Sequence, residues 1–194
     1  MNTDPADAFL LEATSRGDAD SFATFFRRHV GAITLYSVRR SDPADVGDLV
    51  AETFLVALQA AGRYIPANET ALPWLFGIAR RVLAKQRRRR AGALRLLVKS
   101  SNSHLLFTPS EDDAVASAID AARQRPALEA ALARLSAGER EVIELVAYDG
   151  LSPTEAAEAL NLTPNAARLR LSRARHHLRQ ILEPSLEPEV RHAY

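Results

Sequence analysis

The chain contains no cysteine, which excludes disulfides and thiolate zinc sites and fits a reducing compartment. No run reaches the roughly 18 apolar residues that a membrane span needs, so no membrane partner is expected. The opening stretch, Met1 to Leu11, carries acids where a secretory leader has basic residues ahead of an apolar core, so no leader is expected. A P-loop, a nucleophile paired with a base and a histidine–carboxylate cluster are all missing. Nothing therefore points to an enzyme, to a small-molecule substrate, to a cofactor or to a metal. There is no internal repeat, and no stretch alternates polar and apolar residues for long, which argues against strands.

What is present is an ordinary globular composition, 47% hydrophobic over 194 residues, with room for one medium domain or two small ones. The net charge of +1 would not suggest nucleic acid, but its distribution does. Residues 1–70 hold 6 basic and 10 acidic side chains, and residues 71–100 hold 9 basic and none acidic. Residues 101–160 hold 4 against 11, and residues 161–194 hold 6 against 3. Two cationic blocks, each following an acidic stretch, are what a protein gripping DNA at two places needs, because phosphate neutralisation supplies most sequence-independent affinity.

Helical signals run almost throughout, with abundant alanine and leucine. From Asp7 to Val38, Phe9, Leu10, Phe22, Phe25, Phe26, Ile33 and Leu35 predict two helices broken near Gly17. Ser41-Asp42-Pro43 predicts the capped start of a third, with an apolar stripe at Val46, Leu49, Val50, Phe54, Ala57 and Leu58. A loop from Gly62 to Thr70 ends it. A fourth helix begins near Leu72 and runs into Arg87–Arg90, with Leu75, Ile78, Ala79, Val82 and Leu83 inward. Between about 91 and 125 the periodicity dissolves into Ser-, Pro- and acid-rich sequence that reads as a linker, with a helix across 114–122. Periodicity returns at Pro126 and holds to about Leu182.

The second half is the most informative. Ser136-Ala-Gly-Glu139 and Ser152-Pro-Thr-Glu155 both match the capping box. Asp149-Gly150 stops the first of these helices. The second, Pro153 to Leu160, turns Ala156, Ala157 and Leu160 inward. Asn161-Leu162-Thr163 makes a tight turn, in which Asn161 tolerates a left-handed backbone. Thr163 caps a third helix carrying Arg168, Arg170, Arg173, Arg175 and Arg179, with no acid before Glu183. A short helix, a three-residue turn and an arginine-rich helix fit a helix-turn-helix, whose second helix lies in the major groove. A helical hairpin with a solvated basic face is the bland alternative.

Taken together, Leu135-Ser136, Glu139-Arg-Glu-Val-Ile143, Gly150-Leu-Ser152, Glu155-Ala-Ala157 and Arg168-Leu-Arg-Leu-Ser-Arg-Ala-Arg175 resemble the C-terminal domain of the extracytoplasmic-function (ECF) sigma factors. Asp48-Leu-Val-Ala-Glu-Thr-Phe54 and Trp74-Leu-Phe-Gly-Ile-Ala-Arg80 resemble the two most recognisable segments of the family's N-terminal domain, in the right order. The resemblance implies an all-α protein of two small helical domains joined by a flexible linker, the C-terminal one a helix-turn-helix. Residues 1–92 would form the N-terminal sigma domain, 93–125 the linker, 126–183 the C-terminal domain and 184–194 a tail. It implies a cytoplasmic initiation factor whose partners are core RNA polymerase and promoter DNA, with an anti-sigma factor as a further candidate. On matching positions, Asn165, Ala166, Arg168, Leu169, Ser172 and Arg173 would face the −35 element. Arg175 and Arg179, further along the helix, would meet phosphates. Arg80, Arg81, Lys85 and Arg88 would lie along DNA near the −10 element, with Tyr64 and Asn68 in a loop that meets the unpaired strand.

Asp45, Asp48 and Glu52, at intervals of three and four, share a helix face. A polymerase-docking face is implied by the resemblance; a solvated face is the plain alternative, and a carboxylate metal site is the remotest. Trp74 fits a core anchor better than a base-stacking platform, whereas Tyr64 fits either role. His176 and His177 are adjacent and poorly placed to chelate one metal. Two other functions stay in view. A LuxR-type helix-turn-helix activator shares the Glu-Arg-Glu-Val and Gly-Leu-Ser signatures, but residues 1–90 lack the strands of a receiver domain. A metal-dependent nucleic-acid hydrolase using Asp45, Asp48 and Glu52 is the least favoured.

Overall fold

The computed structural model describes residues 5–100 and 128–186, and among these there is no strand. Helix α1 (Asp7–Ser15) ends at Gly17, whose φ of +96° is a backbone that residues with a side chain rarely adopt. Helix α2 (Ala19–Val38) starts at once, because the Asp18 carboxylate accepts hydrogen bonds from the amides of Asp20 and Ser21. The break expected near Gly17 is there. Helix α3 (Val46–Ala60) begins later than Ser41-Asp42-Pro43 suggests, after a 3-10 turn over Pro43–Asp45. The cause is competition: Asp42 caps nothing, and its carboxylate instead meets Arg90, 3.2 Å away.

Helix α4 (Leu72–Ser100) continues eight residues into the stretch expected to be linker. Arginine, alanine and leucine are all good helix formers, so the basic run gives the helix no reason to stop. The rest of that stretch, including the helix expected across 114–122, lies outside the described residues, as does the tail beyond 186. The C-terminal half comprises α5 (described over 128–133), α6 (Ala137–Ala147), α7 (Pro153–Leu160) and α8 (Pro164–Leu186).

The inner residues of α4, Leu75, Ile78, Ala79, Val82 and Leu83, are buried as expected, against Phe25, Ile33, Leu49 and Phe54. Leu58 is exposed, and Ala57, one position earlier, takes the inner place on α3. In the second half Val142, Leu145, Leu151, Ala156, Ala157, Leu160, Ala167, Leu171 and Ala174 are buried. The two groups form one continuous core, joined where α4 packs on α7. Among the described residues no helix is long and apolar enough to cross a membrane.

Candidate nucleic-acid interface

Both capping boxes form: Ser136 accepts from the Glu139 amide and Ser152 from the Glu155 amide, while each glutamate reaches back to its serine's backbone. Asn161 takes the left-handed conformation, φ 53° and ψ 50°, which lets the chain leave α7 in three residues. The Leu162 amide returns to the Ala157 carbonyl at 2.8 Å, and Thr163 caps α8 by accepting from the Ala166 amide at 3.2 Å. Ala167, Leu171 and Ala174 then face the core. Asn165, Arg168, Leu169, Ser172, Arg173, Arg175 and Arg179 are therefore all exposed, with Ala166 half-buried at the edge. None of Arg168, Arg173, Arg175 and Arg179 forms an ion pair with a described residue. Two other basic groups turn away from this row. Arg170 lies over Gly138, and His177 Nδ1 sits 3.2 Å from Glu139. The Ser136 hydroxyl and, less strongly, His177 hold the Glu139 carboxyl below its usual range.

The second group of predicted residues is spread around the start of α4. Tyr64 and Trp74 are both half-buried and meet ring to ring, centroids 5.0 Å apart. The two aromatics weighed separately in the sequence thus form one unit. Burial pushes the Tyr64 phenol up to about 12, with Glu158 and Asp7 adding to it. Asn68 does not face open solvent: its side-chain amide donates to Glu158 of α7. Arg80 meets Glu141 of α6 at 3.0 Å, and Lys85 meets Glu52 of α3 at 2.7 Å. Arg81 and Arg88 are exposed. Arg81, Lys85 and Arg88, spaced by four and three, share one face of α4, and Lys85 lies at its α3 edge, where it is shared with the acidic residues.

Those acids line an open groove between α3 and the distal part of α4, bordered by Asp45, Asp48, Glu52, Leu55, Arg89 and Arg90. Arg90 takes Asp45, and Lys85 takes Glu52, whose carboxyl its hydrogen bond holds below the usual range. Asp48 alone of the three is exposed.

Sequence reasoning missed the contact between the two halves. Arg40 stacks over Tyr36, 4.0 Å from the ring centroid, and bonds both Glu144 (3.1 Å) and Asp149 (2.7 Å). Arg39 reaches the other Asp149 oxygen at 2.9 Å. The Asp149 side chain is 1% exposed. Burial pushes its carboxyl above the usual range, and the two guanidiniums offset this only in part. Beside them Gly77 lies against the Ala159 carbonyl, where an added Cβ would sit 3.2 Å from the oxygen. A cavity of only about 10 Å³ remains between Tyr36, Arg40, Phe76, Leu145 and Ala159, about enough for one water. Block charge signals only part of it: the acidic surplus of residues 101–160 complements the basic block of 71–100 through Arg80 and Glu141, whereas Arg39 and Arg40 come from a stretch with an acidic surplus.

Comparison with known proteins agrees over both halves. Residues 25–92 match Sigma-70 region 2, and residues 125–178 match Sigma-70, region 4. The RNA polymerase sigma factor CnrH of Cupriavidus metallidurans is 31% identical, over 96% of this chain and 100% of its own. The ECF RNA polymerase sigma factor SigL of Mycobacterium tuberculosis is 29% identical, over 89% of this chain and 95% of its own. A solved structure of CnrH in complex with the cytosolic domain of CnrY superposes with a TM-score of 0.63 at 28% identity, covering 93% of this chain and 99% of that one. The chain belongs to the sigma-70 family of RNA polymerase sigma factors, in its extracytoplasmic-function branch. It is a promoter-recognising initiation factor whose partners are core RNA polymerase and promoter DNA. The region 2 match favours this over a LuxR-type activator, which shares only the C-terminal motif, and over a hydrolase.

Proposed function

We propose a division of labour within this sigma factor. Residues 1–92 form a domain that docks on the polymerase through the Asp45, Asp48 and Glu52 groove and engages the −10 element through Tyr64, Asn68, Arg80, Arg81, Lys85 and Arg88. Residues 126–183 form a second domain that reads the −35 element as duplex through α8, with the intervening segment allowing the two to separate. The observation that carries this reading is the exposed arginine row on α8, free of ion pairs to described residues and oriented by the Thr163 cap. Side chains near the start of such a helix reach base edges, and those further along meet phosphates. The factor acts in the cytoplasm and carries no catalysis of its own; the polymerase supplies the chemistry. An anti-sigma factor is a further partner by analogy with CnrH, solved with the cytosolic domain of CnrY.

Run-off transcription with core polymerase on fragments of the source genome tests the assignment and recovers the promoter together. Discrete transcripts that appear only with the chain added, and that are lost when Arg168 and Arg173 are both changed to alanine, are the expected result. Transcripts that survive the double change unaltered would remove α8 from −35 recognition.

A further inference from the structure

Asp7 opens α1, outside both matched sigma-70 regions, and its side chain is 3% exposed. Burying a carboxylate is unfavourable unless its oxygens are satisfied, and these are bonded from α2 and from the two residues that precede α4. One oxygen accepts from His29 Nε2 at 2.8 Å, from the Ala71 amide at 2.7 Å and from the Thr70 hydroxyl at 3.0 Å. The other takes Arg28, which also bonds the Pro5 carbonyl at 2.8 Å. Burial alone would raise this carboxyl's pKa, but the bonds from His29, Ala71 and Arg28 outweigh it and hold the group well below the carboxylate range. It is therefore an anion at any working pH.

Two of its partners lie where the loop meets α4. Thr70 ends the 64–70 loop, and its oxygen accepts in turn from the Leu72 amide at 3.3 Å. Ala71 immediately precedes α4, whose opening amides have no partner within the helix, and a carboxylate there also complements the helix dipole. The other end of the loop is held by Tyr64 against Trp74. A hydrophobic contact would hold α1 against α2 equally well. A carboxylate with directional bonds to a hydroxyl and an amide additionally fixes where the loop ends and at what angle α4 starts.

We propose that Asp7 is a positioning residue for promoter opening, anchoring the 64–70 loop and the first turn of α4 so that the loop captures the unpaired strand. This rests on the assignment of that loop to the −10 element. Asp7→Ala would remove the acceptor that four donors share and endanger the fold, so the informative variants are Asp7→Asn and Thr70→Val, with Thr70→Ser as conservative control.

The experiment uses holoenzyme reconstituted from core polymerase and full-length chain, on a promoter fragment recovered by run-off transcription. Strand opening is followed by permanganate reactivity of thymines, on the duplex and on a copy pre-opened by mismatches across the −10 region. Opening of the duplex should fall about tenfold in Asp7→Asn and Thr70→Val, the scale expected when one buried donor loses its acceptor. Binding to core polymerase and to an upstream-element duplex should stay at wild-type strength, the pre-opened template should restore transcription, and Thr70→Ser should behave as wild type. Parallel loss of core and duplex binding, with no rescue by the pre-opened template, would mean that Asp7 only supports the fold. Normal opening in both variants, while Tyr64→Ala and Asn68→Ala are defective, would overturn the proposal alone. Normal opening in those loop variants too would overturn the loop assignment and this proposal with it.

Discussion

Arg168 and Arg179 stand eleven residues apart on α8, about three turns, and both are exposed, but their settings differ. Arg168 follows the Thr163 cap by five residues, in the second turn, where a helix entering the major groove presents side chains to base edges. A guanidinium there can pair with guanine O6 and N7 at once, worth roughly 1–3 kcal/mol of discrimination. On the proposed docking, Arg179 would lie where the helix leaves the groove, with only phosphates to meet. Arg168→Ala should therefore relax preference at one or two base pairs of the upstream element. Arg179→Ala should weaken every duplex alike and lower the salt slope by about one. Titrating both variants against a base-substituted duplex series at several salt concentrations separates them. Equal loss by Arg168→Ala on all duplexes would make that residue a backbone clamp.

Within single elements, what the sequence discloses depends on the range of the interaction. The caps at Ser136, Ser152 and Thr163 and the left-handed Asn161 involve partners within five residues, so the helix-turn-helix is legible almost completely. The start of α3 is not, because Asp42 is drawn to Arg90, 48 residues away. The end of α4 is not either, since the Arg87–Arg90 run signals charge while its helix propensity carries the element on to Ser100. For the candidate site, spacing correctly brings the three acids to one groove, Asp48 and Glu52 from α3 and Asp45 from the 3-10 turn before it, but it cannot show that Arg90 and Lys85 already occupy two of them. That leaves Asp48 as the open acid of the groove, and a sharper probe of docking than Glu52. Asp48→Lys should weaken capture of core polymerase about tenfold, an interfacial charge reversal being worth a kcal/mol or more, without lowering helicity or melting temperature. Glu52→Lys would confound the test by setting two ammonium groups side by side. Wild-type affinity for core enzyme in Asp48→Lys would make the groove mere solvated surface.

Across the whole molecule, two of the six residues assigned to the −10 element, Asn68 and Arg80, are bonded to the half assigned to the −35 element, and the neighbouring Arg39 and Arg40 add to the contact. Asn68 is bonded to Glu158, Arg80 to Glu141, and Arg39 and Arg40 hold Asp149. On the proposed assignment DNA phosphates and C-terminal carboxylates would compete for Arg80, and engaging a promoter at two sites would require the halves to part. The closed arrangement should be sensitive to two independent changes. Salt acts on the exposed Arg80–Glu141 pair more than on Arg40–Asp149, because buried pairs are screened less, so opening with salt should be partial. Gly77→Ala acts sterically: the new Cβ would stand 3.2 Å from the Ala159 carbonyl, tighter than ordinary contact, and α7 must step back. The same change favours α4 itself, since alanine exceeds glycine by about 1 kcal/mol in a helix interior. The N-terminal helices should therefore melt no earlier even as the halves loosen. The absence of cysteine makes this measurable, since Asp20→Cys and Gln180→Cys, both at exposed positions outside the docking groove, supply the only thiols for a donor–acceptor dye pair. Energy transfer should fall in part as salt rises, fall further at low salt in Gly77→Ala, and fall on adding core polymerase with promoter DNA. Transfer in Gly77→Ala equal to wild type at every salt concentration would show that the packing of α4 on α7 does not govern the separation of the two halves.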